Sequence, residues 1–134
     1  MRYVLDASVA VASLRANEPN HTRAVTFLTP LIKGIDSIVV PSSIFCIEVA
    51  SALARAGFAM REVERFVAAF LARADVVTIG PVRARRIQRV AVTTRLRAAD
   101  AMYVWLAAHE GLALVTADLE IHERAAAVCQ LANV

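Results

Sequence analysis

The sequence is poor in cysteine, in aromatic residues and in long apolar runs. Its two cysteines, Cys46 and Cys129, lie in apolar contexts without CxxC spacing. That setting favours buried free thiols over a disulfide and agrees with a reducing compartment. No apolar run reaches the roughly 18 uncharged residues of a membrane span, and the apolar N-terminal segment contains Asp6. We therefore expect a soluble, cytoplasmic protein that is not exported.

Lysine is nearly absent, since fourteen arginines stand against one lysine, and the formal net charge is +3. A positive balance is compatible with a polyanionic partner. A surplus of this size is also usual for a solvated surface, and the arginine bias can reflect the base composition of the coding genome. The net charge alone therefore neither indicates nor excludes a nucleic-acid partner.

Apolar residues are abundant, at 58% of the 134 residues, although only 6% are aromatic. The core must therefore consist mainly of Ala, Val, Leu and Ile. A chain of this length is expected to fold as one domain, here residues 1–134. The clearest helical stripe lies in residues 63–71, and we interpret it as core or as a dimer contact.

Short β-forming runs alternate with helical patterns along the chain. Strands are predicted at residues 2–5, 37–40, 76–79, 112–115 and 129–131. Helices are predicted at residues 9–15, 21–31, 43–56, 60–73, 81–93, 97–109 and 121–127. Ser8 and either Ser42 or Ser43 are the expected N-caps of the first and third helices. The alternation indicates an α/β protein with a parallel sheet covered on both faces, whose ligands bind outside the carboxyl ends of the strands.

Four carboxylates stand among apolar and small residues, in the contexts YVLDASVAV, IFCIEVASALA, AADAMYVWLA and LALVTADL: Asp6, Glu48, Asp100 and Asp118. Flanking side chains that enter the core take these acids with them, and burial of an ionised carboxylate costs several kcal/mol without a compensating positive charge. Taken singly, the three aspartates are more readily explained as caps of helices or strand ends. Glu48 lies inside a predicted helix and has no other charged residue between Asp36 and Arg55. Together the four acids predict a cation site.

Oxygen ligands of this kind suit a hard divalent cation, so Mg²⁺ or Mn²⁺ is the expected cofactor. The three histidines show no HExxH pattern and the cysteines no ligand spacing, which argues against zinc. We expect Asp6 and Asp100 to be the primary ligands, Asp118 to bind the metal or orient a water, and Glu48 to act indirectly or through a water. One-metal and two-metal versions of phosphodiester hydrolysis both fit.

A basic block precedes the third acid, with no acidic residue between Asp75 and Asp100. It consists of Arg83, Arg85, Arg86, Arg89, Arg95 and Arg97. Such arginines can neutralise phosphates and position a nucleic-acid strand beside metal ions. A solvated helix face explains any one of them about equally well, and no aromatic residues alternate with them. We expect the block as a whole to bind the substrate.

Four motifs in order resemble the PIN-domain ribonucleases, and specifically the VapC-like toxins of type II toxin–antitoxin modules. They are VLDASVAV (4–11), PSSIFCIEVASALAR (41–55), LRAADAMYVWLA (96–107) and LVTADLEI (114–121). The likeness covers nearly the whole chain and implies a compact three-layer α/β/α sandwich. It places the four carboxylates in the acidic site and Thr116 in the hydroxyl position shortly before the last acid. We also expect Ser8 and Ser51 to support the site. It further implies a single-stranded RNA substrate, a cognate antitoxin that inhibits the enzyme, and a homodimer.

Two departures from the family pattern affect the site. Ser51 stands where the family often has Asn, three residues after the helical Glu, so one supporting hydrogen bond is in question. Leu119 and Glu120 stand where basic side chains are common. Glu120 is either a fifth acid near the metal or a solvated residue at a helix entry, and His122 is similarly ambiguous.

The expected function is thus a metal-dependent endoribonuclease that acts as a toxin. The alternative from another class is a non-catalytic RNA-binding or scaffold protein with the same fold, in which the basic block does the work. A Mg²⁺-dependent phosphatase fits less well, because its aspartyl nucleophile commonly belongs to a DxD pair and Asp6 is followed by Ala7 and Ser8.

Overall fold

A parallel five-stranded sheet forms the centre of the molecule in the computed structural model, which describes residues 1–134. Its strands are β1 (Arg2–Leu5), β2 (Ser37–Pro41), β3 (Ala74–Val77), β4 (Leu114–Val115) and β5 (Leu131–Ala132), in the order β3-β2-β1-β4-β5. All four neighbouring pairs are parallel. Residues 3–5 and 38–41 are fully buried, as expected for central strands that are covered on both faces.

Seven helices cover the sheet. They are α1 (Ala7–Leu14), α2 (His21–Ile32), α3 (Ile44–Arg55), α4 (Met60–Leu71), α5 (Pro81–Thr94), α6 (Ala98–Glu110) and α7 (Leu119–Ala125). In one layer α1 packs against α2 and α3, and α3 packs against α4. In the other layer α6 contacts β1, β2 and β4 and packs against α5 and α7. The predicted three-layer α/β/α sandwich is confirmed. No helix combines the length and the apolar character that a bilayer-spanning segment needs.

Three local predictions differ from the structure, one of them only in part. The first helix starts at Ala7 and its N-cap is Asp6, whose carboxylate accepts the Ser8 N–H, because a carboxylate caps as well as a hydroxyl does. Ser43 is the N-cap of α3, but its side chain makes no capping hydrogen bond. β3 starts at Ala74, two residues before the predicted strand, because its register is set by pairing with Ile38 on β2.

The two cysteines are free thiols, as predicted, but both are only half-buried. In the residue 63–71 stripe, Val63 and Phe70 belong to the core, whereas Phe66, Val67 and Leu71 are partly covered.

The strand order reverses direction between β1 and β4. The chain builds outwards from β1 to β2 and β3, then returns to place β4 on the other side of β1. Such a switch point opens a crevice outside the carboxyl ends of the two strands. Asp6 and Thr116 each follow one of these strands directly, and the Asp6 N–H donates to the Val115 carbonyl oxygen at 3.0 Å. The topology therefore brings two sequence-distant polar residues to one edge of the sheet.

Candidate active site

Asp6 is a buried carboxylate, 5% exposed, held by hydroxyl groups. Its Oδ2 accepts the Thr116 hydroxyl at 2.6 Å and the Ser8 hydroxyl at 2.8 Å. Burial raises the pKa of Asp6, the hydrogen bonds from Thr116 and Ser8 lower it, and the charge of Asp118 raises it; burial outweighs the hydrogen bonds. The negative form of Asp6 is therefore oriented but poorly compensated.

Thr116 connects Asp6 to the start of α7. Its hydroxyl donates to Asp6 and accepts the Asp118 N–H at 3.1 Å, while its carbonyl oxygen lies 3.1 Å from Nε2 of His122. The Ser8 hydroxyl, which donates to the same oxygen of Asp6, accepts the Ala117 N–H at 3.3 Å. The structure thus places Thr116 and Ser8 directly on Asp6, whereas His122 contacts only the backbone of the network.

Asp100 lies in the first turn of α6 and is 8% exposed. Its Oδ2 is buried without a hydrogen-bond donor, although Nε of Arg97 stands 3.4 Å away in a geometry that does not make a hydrogen bond. Burial raises the pKa of Asp100, as do the charges of Asp6 and Asp118, and Arg97 only partly opposes them. A buried carboxylate oxygen that accepts no hydrogen bond is costly, and the exposed Arg97 offsets its charge only in part, which points to a further positive partner.

Glu48 lies in the second turn of α3 and has one hydrogen-bond partner, the Tyr103 hydroxyl, which donates to its Oε1 at 2.8 Å. Burial raises the pKa of Glu48, the hydrogen bond from Tyr103 lowers it, and the charges of Asp6 and Asp100 raise it; the net shift is upward. Tyr103 is fully buried, and burial together with the Glu48 charge raises its pKa, so its hydroxyl keeps the proton it donates.

Asp118 caps α7 and faces the other acids from across the crevice. Its Oδ1 accepts the Glu120 N–H at 2.8 Å, and its Oδ2 is 3.9 Å from Nη2 of Arg97. Arg97 therefore stands between Asp118 and Asp100, but its own side chain is 77% exposed. The solvent-exposed Arg97 guanidinium is therefore the only positive group that pairs with any of the four carboxylates.

A single cavity of about 600 Å³ unites these groups. All four carboxylates line it, together with Ser8, Ser51 and Arg97 from the sequence-predicted set. Its volume lies within the usual range of ligand sites, and it opens to solvent. Seven of the residues named from the sequence therefore share one crevice.

Most of the basic block lies elsewhere. The four arginines of α5 and Arg95 do not line the cavity. Arg83 donates to the Thr78 carbonyl oxygen at 2.9 Å and stands over the Trp105 ring, 5.9 Å from its centroid. Glu120 also stays outside the cavity and pairs with Arg124 at 3.4 Å.

Sequence reasoning missed three residues at the site: Tyr103, Arg15 and Arg55. Tyr103 could have been predicted from the sequence, because it lies three residues after Asp100 on α6 and therefore on the same helix face. The only sequence signal for Arg15 and Arg55 was their place at the ends of the helices that begin near Ser8 and carry Glu48.

The donor set suits a hard divalent cation. It consists of carboxylate and hydroxyl oxygens, it includes the donorless Oδ2 of Asp100, and burial raises the pKa of three of its carboxyl groups. As the side chains are placed, no three of the acidic, histidine or cysteine groups converge on one ion position. Mg²⁺ commonly takes only one or two carboxylates and keeps its waters, so the residues present fit such an ion.

Comparisons with known proteins give one matching family model and several solved structures of similar fold. The sequence model described as "PIN domain" matches residues 3–127. VapBC2 from Rickettsia felis, solved bound to a DNA fragment from the promoter, is similar in structure with a TM-score of 0.70 at 16% identity, covering 100% of this chain and 99% of that chain. No curated protein matches in sequence.

Two further solved structures resemble this chain. PAE2754 from Pyrobaculum aerophilum has a TM-score of 0.66 at 25% identity, with 97% of this chain and 92% of that chain covered. FitAcB from Neisseria gonorrhoeae has a TM-score of 0.59 at 23% identity, with 98% and 96% covered. At identities this low, the structural similarity shows a shared fold and nothing more specific.

Proposed function

Because the chain belongs to the PIN-domain family, whose members are generally metal-dependent nucleases, we propose that it is a Mg²⁺- or Mn²⁺-dependent endoribonuclease. The observation that carries this proposal is the convergence of Asp6, Glu48, Asp100 and Asp118 on one cavity at the switch point of the sheet. The Asp100 Oδ2, which is buried and accepts no hydrogen bond, adds the expected place for a cation.

Each acid has a distinct part in this proposal. Asp6 and Asp100 hold the metal directly, and the hydroxyl groups of Thr116 and Ser8 fix the orientation of Asp6. Glu48 and Asp118 orient water beside the scissile phosphate. Glu48 is held by a hydrogen bond from the Tyr103 hydroxyl, and Asp118 by one from the Glu120 N–H. When bound, the divalent ion lowers the pKa of a water and offsets phosphate charge. Arg97 contributes a further positive charge at the mouth of the cavity.

We further propose that the protein is the toxin of a toxin–antitoxin module, with single-stranded RNA as substrate, an antitoxin as inhibitor and a homodimer as working form. The likeness of four motifs to VapC-like toxins and the structural similarity to VapBC2 and FitAcB support this role. An apolar groove between α3 and α4, lined among others by Cys46, Met60 and Val67, offers a surface for a protein partner.

Cleavage of single-stranded RNA in Mg²⁺ or Mn²⁺ tests the enzyme assignment. Asp6→Asn and Asp100→Asn are each expected to lower the cleavage rate by at least about 100-fold, because each removes a negative ligand. Asp75→Asn is the matched control, since Asp75 is an exposed acid paired with Arg2 outside the cavity. Variants that cut as fast as the parent would refute the site assignment.

The alternative function, a non-catalytic RNA-binding or scaffold protein, predicts the opposite result for the parent protein. It expects no RNA cleavage, no saturable Mn²⁺ binding and an RNA affinity that a chelator leaves unchanged. Calorimetric titration with Mn²⁺ separates the two functions independently of any activity assay.

A further inference from the structure

Three arginines line the acidic cavity, and they come from three separate elements. Arg15 is the C-cap of α1, Arg55 is the last residue of α3, and Arg97 is the N-cap of α6. Arg97 stands beside Asp100 and Asp118, whereas Arg15 and Arg55 form no contact with any of the four acids. The cavity therefore has positive charge both at the acids and away from them.

One face of α3 connects the acids to Arg55. Glu48, Ser51, Ala52 and Arg55 all line the cavity, at the i, i+3, i+4 and i+7 spacing of a single helix face. Seven residues separate Glu48 from Arg55, which corresponds to about 10 Å along the helix axis. A strand whose phosphate lies at the acids would have its neighbouring phosphates further along this face.

The facing wall, on α1, repeats the arrangement. Ser8, Val11, Ala12 and Arg15 line the cavity, and Arg15 again stands seven residues, or about 10 Å of helix, beyond the acid-binding end. α1 packs against α3, and each of the two helices carries an arginine seven residues beyond its acid-side lining residue in the same cavity. Nη1 of Arg15 pairs with Oε1 of Glu18 at 2.9 Å, and Glu18 also lines the cavity. The pair fixes the position of the Arg15 guanidinium and offsets part of its charge, whereas Arg55 forms no ion pair.

The wall between the acids and these arginines has no aromatic side chain. Its apolar members are Val11, Ala12, Ile47 and Ala52. Bases have nothing to stack on here, so recognition along this stretch must act through phosphate charge.

The α5 surface lacks this continuity with the acids. Arg85 and Arg89 lie with Gln88, Val92 and Thr93 around a shallow depression that includes no carboxylate. A strand bound there has no lining residue in common with the acidic cavity.

We propose that Arg15 and Arg55 bind the backbone phosphates that flank the scissile phosphate of single-stranded RNA, so that the strand follows the groove between α1 and α3 and not the surface of α5. The inference rests on the proposed nuclease function, because the groove matters only if the acids are where the strand is cut.

Fluorescence anisotropy with a labelled single-stranded RNA of about 12 nucleotides, in EDTA to prevent cleavage, measures the binding route. Arg15→Gln and Arg55→Gln are each expected to weaken binding about threefold to tenfold and to reduce the slope of log affinity against log salt by about 0.7, the value for one phosphate contact on a single strand. Arg65→Gln, an exposed arginine of α4 outside all these cavities, is the matched control and is expected to bind like the parent.

Steady-state cleavage in Mn²⁺ gives a second readout. Contacts with flanking phosphates are equally strong before and during bond cleavage, so both variants are expected to raise KM and to keep kcat. Thermal melting of each variant tests whether the fold is intact. Little loss of stability is expected, because the Arg15–Glu18 pair is partly exposed to solvent.

The possible outcomes distinguish the proposed RNA-binding groove from the proposed nuclease function. If the Arg15→Gln/Arg55→Gln double variant binds RNA like the parent while Arg85→Gln/Arg89→Gln does not, the proposed route is overturned and the nuclease assignment stands. If the parent cuts no RNA but its RNA affinity still depends on Arg15 and Arg55, the nuclease function fails and the binding groove is upheld.

Discussion

Glu48 shows how a single hydrogen bond can decide the position of a charged side chain. No charged partner lies near it on α3, and the Tyr103 hydroxyl, from a helix of the opposite layer, takes that role. The hydrogen bond selects one orientation of the carboxylate, while the surrounding charges of Asp6 and Asp100 favour its protonation. Tyr103 is thus a positioning residue for Glu48.

Tyr103→Phe removes this hydrogen bond and little else. We expect RNA cleavage and Mn²⁺ affinity to fall about tenfold, in the range found for residues that support a metal ligand, while the free energy of unfolding changes by less than about 1.5 kcal/mol. Calorimetric Mn²⁺ titration and urea unfolding measure the two effects.

Tyr3→Phe is the internal control for that variant. Tyr3 is equally buried, but its hydroxyl has no hydrogen-bond partner and lies outside the cavity. Its loss is expected to leave Mn²⁺ affinity unchanged and to be neutral or stabilising. Equal effects of the two substitutions on Mn²⁺ affinity would show that Tyr103 does not act through Glu48.

The α3 helix, which carries Glu48 and Arg55, begins in a strained turn. Ser43 has φ 68° and ψ −48°, and the Ile44 N–H donates to the Ser42 carbonyl oxygen at 2.8 Å, the pattern of a γ-turn. The Ser43 side chain is exposed and makes no hydrogen bond, so nothing it contacts compensates the strain. The turn lets the chain leave β2 at Pro41 and enter α3 within two residues.

Glycine at position 43 relieves the steric conflict that any Cβ meets at positive φ. We expect Ser43→Gly to be more stable than Ser43→Ala by about 1 kcal/mol, with the larger entropy of glycine in the unfolded chain offsetting part of the gain. Urea unfolding of both variants measures the difference. A Ser43→Ala protein that is the more stable of the two would show that the turn is not strained.

The whole molecule carries a formal net charge of +3, yet five carboxylates line one crevice: the four of the candidate site and Glu18, which pairs with Arg15. Burial is the largest cause of the raised pKa of Asp6, Glu48 and Asp100. The folded protein therefore holds protons on these groups more tightly than the unfolded chain does. Their ionisation lowers stability as pH rises from the unfolded pKa values, near 4, through the folded ones, and the loss is complete at still higher pH.

Asp100→Asn is expected to melt about 2–5 °C above the parent at pH 7 in EDTA, because it removes a buried charge whose Oδ2 has no hydrogen-bond donor. The difference should shrink as pH falls towards 4, because the parent carboxyl group takes up its proton as the pH falls through its raised pKa. Calorimetric melting over this pH range measures it. A lower melting temperature for Asp100→Asn at pH 7 would mean that the Arg97 pair outweighs burial.

Added Mn²⁺ should reverse the order of the two proteins. The parent gains stability by binding the ion in the folded state, and Asp100→Asn gains less. Asp75→Asn, whose acid is exposed and paired with Arg2, is expected to follow the parent with and without the ion.

The sequence by itself determined the α/β class, the order of the elements and the four acids, because periodicity, turn residues and apolar context are local properties of the chain. Tertiary structure alone decided which polar groups meet. Thr116 reaches Asp6, and Tyr103 reaches Glu48, across 110 and 55 positions of sequence. These contacts follow from the pairing of β4 beside β1 and from the packing of helices on the two faces of the sheet. For the same reason the dense run of arginines on α5 lies away from the acids, while Arg15 and Arg55, isolated in sequence, line the crevice with them.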